Sequence, residues 1–212
     1  VALSTYSELQ TAVGSWLNRS DLDTNIPDFI ALAESSFNRV LRTRNQITRA
    51  TSSVAEQFVA LPSDLLELHN IQLNTSPVKR LQQVTMTKAD ELKSSISTSG
   101  TPAYFALTGS NIELIPTPDA SQTLEIVYYA TITALSDTNA SNWLLTSYPD
   151  IYLYGTLVQA EPYLMNDERM GTWGALLGKA IEELRVSDER SQTEGGTLVM
   201  RASANLDYGG WK

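Results

Sequence analysis

Apolar positions in the first forty residues recur at helical spacing, and the period changes near residue 47. From Thr5 to Leu17, Leu9, Ala12, Val13 and Trp16 share one helical face. Thr5 and Glu8 stand at capping-box spacing. The stretch NRSDLDTN is polar and turn-like. A second helix is predicted from about Pro27, whose missing N–H is no loss in a first turn; its stripe is Phe29, Ile30, Ala33, Phe37, Val40 and Leu41.

From Ile47 the segments ITRATSS, EQFVALP, LELHNIQLN, PVKRLQQV, AYFALTG, NIELIPT and TLEIVYYATI are short, rich in β-formers and bounded by turn residues. Within LELHNIQLN, strict alternation sets Leu66, Leu68, Asn70 and Gln72 against Glu67, His69, Ile71 and Leu73. Gly109-Ser110 carries a two-residue hairpin signal with glycine first. A short polar helix is predicted from Thr87, with Asp90 at cap spacing. In LPSDLLEL, Pro62 and Ser63 are read as opening a helical turn.

The polar connection ALSDTNASN returns the chain to helical spacing. Ser147 is the expected N-cap of a helix reaching about Met165, with Pro149 in its first turn and Asp150 three residues on. Asp167 is the expected cap of the next helix, with stripe Met170, Trp173, Leu177, Ala180, Ile181 and Leu184. From about Val186 the chain is rich in Ser, Thr, Glu and Gly, which predicts an extended tail.

The class is therefore α+β. Helices from residues 1–46 and 136–186 form one bundle, a mainly antiparallel β module (47–135) is inserted, and a tail (187–212) follows. In residues 148–165 the apolar groups run nearly all round: Ile151, Tyr154, Gly155 and Val158 on one side, Leu153, Leu157, Ala160 and Leu164 on another. A helix of that kind is surrounded by protein. Pro162 predicts a kink or break, and Gly155 a close approach within the bundle or against a neighbouring subunit. Glu161 is read as a partner for tyrosine hydroxyls; the competing reading is a general acid.

Composition narrows the chemistry. There is no cysteine, so disulfides and thiolate metal sites are excluded. His69 is the sole histidine, which leaves no basis for a transition-metal centre and no cofactor is expected. The patterns GxGxxG, GxxxxGK[ST] and GxSxG are absent. Asp64 and Glu67 could be read as paired carboxylates, though the helical turn is the favoured reading, and Glu182-Glu183 belongs to a solvated helix face. Net charge is −9: five acids against five bases in 1–50, nine against four in 51–149, ten against six in 150–212. No segment is basic enough to wrap nucleic acid. The opening VALSTYSELQ does not read as a signal peptide and no apolar run approaches ~20 residues, so an intracellular product without membrane contact is expected. Arg39, Arg42, Arg44 and Arg49 cluster near a helix C-terminus, either complementing its dipole, or pairing with acidic groups of a neighbouring subunit or partner, or touching passing DNA.

Three stretches carry a resemblance. The opening YSELQTAVGSWLNRSDLDTNIPDFIALAESSFNRVLR, the central GTPAYFALTGSNIELIPTPDASQTLEIVYYA and the late YPDIYLYGTLVQAEPYLMNDERMGTWGALLGKAIEEL together resemble tailed-phage head–tail adaptor proteins. The ending LDYGGWK is similar to that of the tubular tail A proteins of short-tailed phages. The resemblance implies a non-enzymatic virion protein at the head–tail interface, assembled in the host cytoplasm. It implies a dodecameric homo-oligomer below the portal protein and above a nozzle or tail-tube protein, with double-stranded DNA passing through without sequence-specific binding. A tail-associated hydrolase or a carbohydrate-binding module is the alternative. Joined to the residue reading, it assigns Leu198, Val199, Met200, Leu206, Tyr208 and Trp211 to contact with the portal or an adjacent subunit. Arg39, Arg42, Arg44, Tyr154, Gly155 and Val158 are assigned to subunit contacts.

Overall fold

The computed structural model describes residues 3–96, 98–165 and 167–193. Its helices are α1 (Tyr6–Leu17), α2 (Ile26–Val40), α3 (Met86–Ser95), α4 (Trp143–Ser147), α5 (Pro149–Leu164) and α6 (Asp167–Thr193). The strands are β1 (Ile47–Val54), β2 (Phe58–Ala60), β3 (Leu65–Leu73), β4 (Lys79–Arg80), β5 (Gln82–Gln83), β6 (Tyr104–Thr108), β7 (Asn111–Ile115) and β8 (Gln122–Ala130). The class is α+β, with helices before and after a mainly antiparallel insertion.

The first helix starts as its sequence requires. Thr5 accepts from the Glu8 amide and Glu8 reaches back to the Thr5 amide, the reciprocal capping box. Leu9, Ala12, Val13 and Leu17 are buried, whereas Trp16 stays 45% exposed. Pro27 lies in the first turn of α2. Helix α5 packs on both α2 and α6, and its residues from Ile151 to Leu153 and from Gly155 to Leu157 are all buried. That is the consequence of apolar groups on every side. Pro162 falls in the last turn, and α5 ends two residues later at Leu164, with Met165 in the left-handed region (φ 54°).

The β module holds two four-stranded sheets, ordered β1-β8-β3-β4 and β2-β7-β6-β5. Ile71, Leu73, Leu124 and Ile126 of the first sheet join Phe105, Ile112 and Leu114 of the second in one core. Helix α3 covers the other side of the second sheet, where Ala89 meets Ala106 and Ile115. Thr108 pairs with Asn111 across the Gly109-Ser110 turn, and Gly109 has φ +59°, the positive value a hairpin of this length needs. Among the described residues the only parallel pairing is β5 with β6.

Several local expectations change. PVKRLQQV is two short strands, with the buried Leu81 between them as the chain passes from one sheet to the other. Strict alternation in β3 fails: register shifts fall between Leu65 and Glu67 and between Leu68 and Asn70. Each inserts one residue, so Leu68, Ile71 and Leu73 all reach the core side. LPSDLLEL is a turn into β3, closed by the Leu65 amide on the Pro62 carbonyl (3.2 Å), not a helical turn. Thr85, not Thr87, caps α3, accepting from the Lys88 amide. Ser147 ends the short α4 rather than capping α5; the side-chain cap is Asn142, which accepts from Leu145 N (2.9 Å). Helix α6 continues through Thr193, past the expected end near Val186. Asp188 explains the extension: its largely buried carboxylate accepts from the Arg44 amide and faces the Arg44 guanidinium, a tertiary partner that local polarity conceals.

Candidate assembly surfaces

The bundle and the β module are joined by a polar seam. Asn38 accepts from Ile132 N and Glu34 Oε1 from Leu135 N, both at 2.8 Å. Tyr152 donates its hydroxyl to the same Glu34 oxygen (3.0 Å) and accepts from Asn142 Nδ2 (2.6 Å), which also donates to the Thr133 carbonyl. Burial, opposed by those two donors, raises the Glu34 carboxyl above its ordinary range. Burial first, and then the Glu34 charge, push the Tyr152 hydroxyl strongly upward, so it is a neutral donor. The returning chain is thus pinned to α2 before it enters α4. Sequence reasoning missed this seam; the available signal was a carboxylate, Glu34, inside the α2 stripe.

Glu161 is fully buried in α5, and the Trp173 indole N–H donates to its Oε1 at 3.0 Å. Its partner is therefore an indole on α6 rather than a tyrosine hydroxyl. Its Oε2 meets no donor among the described residues. Trp16, Tyr154 and Trp173 lie in mutual ring contact, with centroids 5.6–6.3 Å apart.

The predicted contact residues divide. Gly155 approaches its own chain: a Cβ there would lie 2.7 Å from Phe37 Cε1 on α2 and nearer still to Cζ. Tyr154 and Val158 are half-buried. Arg42 donates to the carbonyls of Asn38 and Leu41 (2.8 and 2.6 Å) and to Glu67 (2.9 Å), so it caps the end of α2. Arg44 pairs with Asp188, and Arg49 with Glu125 on β8. Arg39 stays exposed and reaches the Ser35 hydroxyl at 3.4 Å. Leu198, Val199, Met200, Leu206, Tyr208 and Trp211 lie outside the described residues.

The candidate carboxylates do not converge. Asp64 accepts from the Tyr128 hydroxyl (2.9 Å), Glu67 faces Arg42, and Glu161 sits in the bundle core. His69 is the exposed bulge residue of β3, edge-on to Tyr129. Among the described residues no group of His, Asp and Glu could hold a metal ion. An open groove of ≈ 700 Å³ beside α1 is lined by Ser7, Gln10, Thr11, Asn18, Arg19 and Asp23, among others, and the Arg19 guanidinium is tied to Asp21 at 2.6 Å.

The chain is thus a helical bundle carrying a two-sheet module, with buried polar groups joining the two. The chain belongs to the SU10 adaptor protein family, whose profile matches residues 4–201 and so spans bundle and β module together. No curated protein matches it.

Proposed function

We propose that the protein is a non-enzymatic head–tail adaptor that forms a ring below the portal protein and joins it to the tail around the DNA channel. The family match over residues 4–201 carries this reading. The ring is a homo-oligomer of twelve subunits, located at the head–tail interface of the virion and assembled in the host cytoplasm. A nozzle or tail-tube protein docks on its far side. The charge of −9 suits a channel wall that lets double-stranded DNA slide past without gripping it. No described helix is long and apolar enough to cross a membrane.

In this proposal Arg39, Tyr154 and Val158 present groups to a neighbouring subunit, while Arg42, Arg44 and Gly155 act by fixing the subunit's own shape. Leu198, Val199, Met200, Leu206, Tyr208 and Trp211 engage the portal or an adjacent subunit. Electron microscopy and mass measurement of the full chain mixed with its portal protein test the reading. A ring stacked on the portal is expected; two species that never associate would sink it. Deleting 194–212 is expected to leave the melting temperature nearly unchanged and to weaken portal binding severely. Wild-type affinity after that deletion would remove the tail from the portal contact.

A further inference from the structure

Helices α2 and α6 flank α5 and run in the same direction, each antiparallel to it. The contact of Phe29 with Tyr163 and that of Phe37 with Tyr152 set the first relation. Helix α6 starts three residues after α5 ends, and the Trp173 bond to Glu161 brings it back along α5, which sets the second. Two ties give their relative level. Trp173 lies near the level of Phe29 through Glu161 and Tyr163, and Arg185 reaches the Val40 carbonyl at 3.5 Å.

The outward side of α2 is unusual for a surface. Leu32 is 52% exposed there, and the exposed Arg39 follows on the same side two turns later. The outward side of α6 is unusual in the opposite sense. Gly171, Gly174 and Gly178 recur there at i, i+3 and i+7, and a Cβ at any of them would meet nothing within 4 Å. Glycine inside an exposed helix is destabilising relative to alanine, and nothing among the described residues requires it at these positions. One turn beyond Gly178, Glu182 and Glu183 are exposed, Glu183 in a long ion pair with Lys179 (3.7 Å).

We propose that the α2 face of one subunit packs on the α6 face of the next, Leu32 seating between Gly174 and Gly178 and Arg39 facing Glu182 and Glu183. The proposal rests on the ring reading above and names its subunit contact. Rotation about an axis along the bundle moves a subunit sideways without changing its level. The two ties then put Leu32 opposite residues 174–177 of the neighbouring α6, and Arg39 opposite 181–184. A protruding leucine meets a groove of missing side chains, and a guanidinium meets two carboxylates. Because the faces differ and lie on opposite flanks of α5, the contact is head-to-tail, the kind that builds a ring when its rotation closes.

The chain has no cysteine, so engineered pairs report cleanly. Leu32→Cys combined with Gly178→Cys in the full chain, under mild oxidation with and without the portal protein, should give a ladder of covalent oligomers. Either single variant should stay uncrosslinked. Arg39→Glu should abolish assembly, and adding Glu182→Arg with Glu183→Arg should restore it. Dimers from a single cysteine variant would show a two-fold contact and overturn the proposal. Wild-type rings without a ladder, or without charge rescue, would overturn the assigned faces and leave the ring reading standing. If neither rings nor ladder form, both readings fail.

Discussion

Gly155 on α5 lies against the ring of Phe37 on α2, so closely that a β-carbon at 155 would overlap the ring edge. Phe37 cannot easily withdraw, because it is 2% exposed and packs edge-on against Tyr152, 5.3 Å between centroids. Alanine in a helix interior gains ~1 kcal/mol over glycine, whereas overpacking costs ~1–3 kcal/mol. Gly155→Ala is therefore expected to lower the melting temperature, and Gly155→Leu to lower it further. Combining Gly155→Ala with Phe37→Leu should recover part of the loss. An unchanged or raised melting temperature for Gly155→Ala would show that the ring yields without cost.

Glu34 gives the fold a pH dependence of known sign. Its carboxyl is raised from an ordinary value of 4.5, chiefly by burial. Between the ordinary and the raised value, the folded chain holds a proton that the unfolded chain has released. Stability therefore falls as pH rises through that interval and stays reduced above it. Gln in place of Glu34 keeps an oxygen for Leu135 N and Tyr152 OH but cannot ionise. Glu34→Gln is expected to remove this slope from denaturant melts taken upward from pH 4.5. Persistence of the same slope in the variant would assign it to another group.

What could be read from sequence, and what could not, divides by the range of the interaction. The Thr5–Glu8 capping box, the Gly109 turn and the α5 residues buried all round depend on neighbours within a few positions, and all were legible. The bulges in β3 depend on register against β8, and the extension of α6 depends on Asp188 meeting Arg44, 144 residues away. No local period encodes either. Gly155 sits between these cases: its need for a close neighbour was visible in sequence, but the neighbour, Phe37, is supplied by the packing of α2 on α5.

Lys93 holds α3 to the second sheet. Its amine donates at 2.8 Å to Glu113, whose side chain is 2% exposed, and also reaches Asp90 on its outer side. Gln57 is the other donor to Glu113 (2.7 Å). Lys93→Met would leave a buried carboxylate short of one donor, at a cost of ~1–3 kcal/mol. Asp90→Ala removes only an exposed pair and should cost well under ~1 kcal/mol. Chemical denaturation of both variants checks the order. Equal losses would mean that Glu113 recruits water in place of the amine.

Arg42 marks where the bundle hands the chain to the β module, and its parts can be separated. The guanidinium donates to two carbonyls at the end of α2, Asn38 and Leu41, and to Glu67 on β3. The Glu67 carboxylate is 59% exposed, so the ion pair is screened and worth ~0–1 kcal/mol. The carbonyls belong to a helix end, where a cation also meets the negative end of the dipole; losing those bonds should cost ~1–2 kcal/mol. Arg42→Ala is thus expected to destabilise the chain more than Glu67→Ala, and 1 M salt should erase most of the Glu67→Ala effect but little of the Arg42→Ala effect. Hydrogen exchange should localise the change to the last turn of α2 and the start of β1. If the two variants lose equal stability and respond equally to salt, the ion pair rather than the helix cap makes the joint.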